Sequence, residues 1–170
     1  MIPASRLCRS LGYLAAFLLC VSPCALAATG SAVVNPAPAF AGGAEVGKTI
    51  QLASLRGKPV VLLIAPSPRD ASLRRQLAEF KGVYERLAAQ GFLFFAAFTL
   101  EGGRIPSNIP FILVNNPAEV AANYDVTSGF AIAVIGIDGN LDCMSTKALP
   151  GQRVIDLANN NAAMQQLMRH

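Results

Sequence analysis

Three short runs of consecutive apolar residues punctuate the chain, at 60–65, 92–99 and 130–137. Each is rich in β-branched or aromatic residues and bounded by Gly, Pro or Asp, which predicts strands covered on both faces. Between the first two, Leu73, Leu77, Phe80, Tyr84 and Leu87 recur at the spacing of one helical face over 70–90, and Gly91 ends the pattern. Strand, helix and strand joined this closely form a parallel pair with a crossover. Residues 102–108 read as a loop, 111–114 as a short strand and 117–124 as a short helix opened by Pro117. Asp138-Gly139 is a hairpin turn leading into 140–145, so the last two strands are expected to be antiparallel. A closing helix follows Pro150-Gly151 over 152–168, weakened by Asn159, Asn160 and Asn161.

Upstream of these elements the pattern changes. Arg6 and Arg9 precede an uncharged apolar run over 11–21, then Ser22-Pro23 and Ala25-Leu26-Ala27. This is the layout of a secretory signal, with a cut expected after Ala27. An uncleaved anchor needs about 20 apolar residues, and Ser22-Pro23 interrupts the run sooner. Lipid attachment needs a small residue before the modified cysteine, whereas Cys24 follows Pro23 and Cys20 follows Leu19. The expected location is therefore periplasmic or secreted. Residues 28–44, with Asn35-Pro36-Ala37-Pro38, read as an Ala/Pro/Gly-rich tether, and 45–170 as one folded domain.

Removal of 1–27 changes both summary properties. The formal net charge falls from +4 to +2, because Arg6 and Arg9 leave with the signal, and of four cysteines only Cys143 remains. So small a charge gives no footprint for nucleic acid. One cysteine forms no internal disulfide, so stability must come from packing. With a single histidine, His170 at the chain end, there are too few ligands for a structural metal site and no Ser-His-Asp set. No cofactor is implied.

The order βαβ, then helix, β-hairpin and helix resembles the thioredoxin-like superfamily, in its exported redoxin and peroxiredoxin branch. The likeness is carried by 47–62, from Gly47-Lys48-Thr49 through Gly57-Lys58-Pro59 to Val60-Val61-Leu62, and by Tyr124-Asp125-Val126 with 130–137 and Asp138-Gly139. The resemblance implies an α/β fold with a central mixed sheet and flanking helices. It also implies where chemistry belongs: a Cys-x-x-Cys after the first central strand, its thiolate stabilised by a helix N-terminus. Here that window is Pro66-Ser67-Pro68-Arg69-Asp70-Ala71-Ser72, with Arg69 and Ser72 in the thiol positions. Read as a peroxidase loop, the window keeps Pro68 and Ser72 but has Arg75 where the attacking thiol belongs. The cis-proline of the family falls on Phe130, and a cis Gly129-Phe130 bond would cost about 3 kcal/mol, so it is expected to be trans. The local sequence instead suits helix capping, with Ser67 as the hydroxyl cap, Pro68 in the first turn and Asp70 third.

These residues lead to a non-catalytic binding or assembly module of the cell envelope, without a Cys-x-x-Cys site. Its cleft is formed by Pro66, Ser67, Pro68, Arg69, Ser72, Gly129 and Phe130, and its partner is another envelope protein or a peptide. Two other chemistries compete. Cys143, next to Asp142 and beyond Asp138, is either an ordinary strand residue or a thiol that joins a second chain. Residues 42–49, Gly42-Gly43-Ala44-Glu45-Val46-Gly47-Lys48-Thr49, match the P-loop expression, but a P-loop needs a buried strand before it and a helix after it. Arg69, Arg74, Arg75 and Arg86 read as a solvated face on or before the first helix, with a groove for an anionic group or an acidic peptide near Arg69 and Arg74 as the alternative.

Overall fold

A computed structural model describes residues 35–44 and 48–160. The expected signal segment, residues 28–34 of the expected tether and His170 lie outside the described residues. The strands are β1 (Ala41–Ala44), β2 (Lys48–Gln51), β3 (Val60–Ala65), β4 (Leu93–Phe98), β5 (Phe111–Val114), β6 (Ala131–Ile135) and β7 (Leu141–Ser145). The helices are α1 (Ala71–Lys81), α2 (Tyr84–Ala89), α3 (Pro117–Asn123) and α4 (Gly151–Asn159), with a 3-10 turn over Leu52–Leu55.

All seven strands form one mixed sheet in the order β2-β1-β5-β4-β3-β6-β7. β3 lies parallel to β4, and β4 to β5, because helix or long-loop crossovers return the chain to the same end. β6 runs antiparallel to β3, with Ile64 opposite Ala131, and β7 antiparallel to β6, with Val134 opposite Cys143. The turn between them closes through Gly139 N–H donating to the Gly136 carbonyl, with Gly139 at φ 82°.

Alternation along β3 explains its unbroken apolar run. Val61, Leu63 and Ala65 join a core beneath α1, α2 and α4, with Leu73, Phe80, Leu87, Phe94, Ile132 and Val154. Val60, Leu62 and Ile64 join the opposite core with Phe40, Leu52, Phe95, Val120 and Tyr124. Side chains of a strand alternate between faces, so a strand covered on both sides needs apolar residues at every position.

Three expectations are corrected. The tether ends earlier than residue 44: Ala41–Ala44 is a strand between β2 and β5, and Phe40 is buried against Phe95. The reason is close packing. A Cβ on Gly42 would lie 2.8 Å from Ile112 Cγ2 and 2.9 Å from Phe95 Cε1, so only glycine fits there. The helix over 70–90 is two helices, α1 and α2, broken at Gly82 and Val83, where Val83 leaves helical geometry at φ −130°. Finally, the N-cap of α1 is Asp70, not Ser67. Pro66–Asp70 takes a turn first, with Asp70 N–H donating to the Ser67 carbonyl, so the helix starts three residues later than the capping pattern suggested.

Candidate functional site

The C-terminal end of β3 leads through the Pro66–Asp70 turn into the N-terminus of α1, and Phe130 and Gly129, one and two residues before the Ala131 that pairs with Ile64, lie at the same end of the sheet. The seven residues expected to line a cleft thus share one end of the fold, but not one surface. Arg69 and Gly129 are exposed, while Pro66, Ser67 and Ser72 are half-buried. Pro68 is buried, and Gly103 closes over it so tightly that a Cβ there would sit 3.3 Å from Pro68 Cγ. Phe130 is only 5% exposed and packs into the core with Ala65, Leu73 and Ile105. Neither Pro68 nor Phe130 can present itself to a partner, which corrects their place in the cleft. The bulk of Phe130 is the cause, since an apolar ring at a strand entrance is more stable inside than in water. The Gly129–Phe130 bond is trans.

The electrostatics of this end are set by Asp70. Its Oδ1 accepts hydrogen bonds from Ser72 N–H at 2.8 Å and Leu73 N–H at 2.9 Å. Unpaired amides and the helix dipole make such a terminus a ready seat for an anion. In this chain the seat is taken internally, by a carboxylate on the helix itself. The segment following β4 seals the other side: Leu100 and Glu101 N–H both donate to the Pro66 carbonyl at 3.0 Å. Leu100 is left 84% exposed beside Arg69's loop, an apolar contact point that the sequence did not single out. No signal in the sequence distinguished it, because it directly follows an apolar strand and reads as its continuation.

Cys143 stands elsewhere. It lies half-buried on β7 opposite Val134 of β6, which in turn pairs with Val61 of β3, and it packs against the core below α4. Val61 is four residues before Ala65, about 13 Å of strand, and two strand spacings separate Cys143 from β3. The thiol therefore shares no pocket with Ser67 or Arg69. Among the described residues no group of three or more His, Cys, Asp and Glu side chains gathers as a metal-ligand set.

The P-loop match dissolves on inspection of its elements. Gly42 and Gly43 belong to β1, and Lys48 and Thr49 to β2, so a strand follows where the phosphate cradle needs a helix. Three concavities, of about 780, 320 and 1050 Å³, are lined by residues other than the seven expected ones.

On the other face, burial pushes the Tyr124 phenol well above its ordinary pKa, so it stays a donor. Its Oη–H donates to the Pro38 carbonyl at 3.0 Å and ties the N-terminal arm to α3.

No family model and no curated protein matches the chain. Solved structures do. The chain is similar to a thiol:disulfide interchange protein from Bacteroides sp., at 16% identity and TM-score 0.60, over 81% of this chain and 97% of that one. It is similar also to the thioredoxin domain of a thiol-disulfide oxidoreductase from Bacteroides vulgatus, at 16% identity and TM-score 0.58, over 72% and 94%. Thioredoxin peroxidase I from Plasmodium yoelii matches at 18% identity and TM-score 0.56, over 81% and 92%. The fold is thioredoxin-like, with a central sheet and helices on both faces. At such identities the likeness fixes architecture and leaves the chemistry to the residues in place.

Proposed function

We propose that the protein is an exported, thiol-independent binding module built on a thioredoxin-like fold. The observation that carries this reading is the Asp70 carboxylate on the first amides of α1, where the fold's redox chemistry requires a thiolate. A cysteine depends on those amides to ionise near neutral pH, and here they are already bonded to an acid. Export and an envelope location rest on the basic, apolar and small-residue segments before Ala28. Among the described residues no helix is long and apolar enough to cross a membrane. The contact surface of this reading is the altered end of the sheet: Ser67, Arg69, Ser72 and Gly129, with Leu100 beside them. Of these, Arg69 is of the residue type enriched at the anchoring positions of protein contacts, and Leu100 adds exposed apolar surface.

The test is kinetic. Purified protein, given a disulfide substrate with dithiothreitol, or peroxide with a recycling thiol, is expected to show the background rate, unchanged by Cys143→Ser. Turnover that disappears in Cys143→Ser would overturn the reading. A photo-crosslinker at Leu100 in cells is expected to give adducts that survive reductant. Adducts lost with Cys143→Ser would instead make the thiol the point of attachment.

A further inference from the structure

We infer that the trough between α1 and the loop after β4 takes a short acidic peptide segment carrying an apolar side chain; this rests on the binding-module reading above and adds a second contact site to it.

Arg74, Leu77 and Lys81 stand at i, i+3 and i+7, on one face of α1. The break at Gly82 swings Tyr84 across one end, and Ile109 forms the opposite wall, enclosing about 780 Å³ open along one side. Leu77 and, from the facing wall, Ile109 are buried and give the trough an apolar floor, while Arg74 and Lys81 are exposed above it. Glu85 is the one acid on the lining. Arg86, next to it, is a third cation on the lining, with its Nη2 donating to Gln152 Oε1 at 2.8 Å.

Two cations seven residues apart on a helix are separated by about 10 Å, the reach of about three residues of extended chain. Carboxylates at the ends of such a segment meet Arg74 and Lys81, and a central apolar side chain meets Leu77 and Ile109. Charge pairs over an apolar floor are screened less than pairs on open surface. The open side favours a chain over a small molecule. Small ligands are held by burying most of their surface, which a trough cannot do, whereas a peptide gains contacts along its length.

Methyl and amide NMR spectra of the purified protein provide the test. The probe is an N-acetylated, C-amidated tripeptide of aspartate, leucine and glutamate. Controls are asparagine-leucine-glutamine, aspartate-serine-glutamate and octanoate. The acidic leucine peptide is expected to give saturable shifts at Tyr84, Val83 and Ile109. Both control peptides should bind about tenfold more weakly, and the double variant Arg74→Glu, Lys81→Glu should lose a similar factor, while Arg75→Glu changes nothing. The spectra also report whether each variant is folded. Absence of shifts, equal binding of either control peptide, indifference to the double variant, or saturation by octanoate in place of the peptide would each overturn the inference. Thiol turnover would sink the binding-module reading whatever the peptide does; a silent titration without turnover sinks only the trough.

Discussion

At the scale of single residues, two side-chain oxygens, Asp70 Oδ1 and Tyr124 Oη, each close a specific backbone site. The Asp70 carboxylate fills the anion seat of α1, and the Tyr124 hydroxyl fastens residues near Pro38 to the body of the fold. The second has a measurable pH signature. Burial holds the Tyr124 pKa above its unfolded value of about 10, so above that pH the folded state binds the proton more tightly than the unfolded chain. Its contribution is complete below about pH 10 and is lost as pH climbs toward the folded pKa. Urea unfolding is therefore expected to show stability falling from pH 9 to 11.5, with a shallower fall in Tyr124→Phe. At pH 8 the same variant should lose about 1 kcal/mol, the worth of one hydrogen bond. An equal alkaline slope in both proteins would show that the phenol is not the titrating group.

Elements show why some of the structure could be read in advance and some could not. β3, β4 and β6 announced themselves because both their faces are covered, which forces apolar residues into every position. Pro117 and Asp138-Gly139 fixed α3 and the last hairpin through backbone geometry alone. The break between α1 and α2 was hidden because Phe80, Tyr84 and Leu87 continue a helical spacing across it. Nothing in that spacing reveals that Gly151, at the start of α4, presses on the break: a Cβ there would lie 2.7 Å from the Glu79 carbonyl oxygen and also strike Val83. Gln76 secures the same junction, donating from Nε2 to the Leu149 carbonyl and accepting Leu149 N–H at 2.7 Å. Two glycines at one junction are thus expected to behave oppositely. Gly151→Ala should destabilise by about 1–3 kcal/mol through overpacking. Gly82→Ala meets nothing within 4 Å and already has helical φ, so it should stabilise by about 0.4–1 kcal/mol by narrowing the unfolded ensemble. Chemical denaturation of the pair decides, and matching signs would refute the packing argument.

For the whole molecule, the largest surprise is how much of the N-terminal segment belongs to the fold. Ala-Gly-Gly-Ala carries no strand propensity, and its Pro-rich approach suggested a spacer. The missing side chains are the reason it packs: Gly42 lets β1 approach Phe95 and Ile112, so the sequence feature that hid the strand is what permits it. Gly42 is also the first glycine of the false phosphate-binding motif. The candidate site was legible in a comparable, partial way. Loss of the thiols could be read directly, but the burial of Pro68 and Phe130 depends on Gly103 and on core residues distant in sequence. β1 also joins β2 to the rest of the sheet, since β2 is the edge strand and pairs only with β1. A protein beginning at Glu45 is therefore expected to lose the β1 ladders on both sides, the Phe40 contacts with Phe95 and Tyr124, and the Tyr124–Pro38 bond. Removing a buried Phe alone costs about 3–5 kcal/mol, so calorimetry should find Tm lowered by about 10 °C or more, or no cooperative transition. A protein beginning at Asn35 keeps all of these contacts and should melt with the parent; equal melting of both truncations would return residues 35–44 to the role of a spacer.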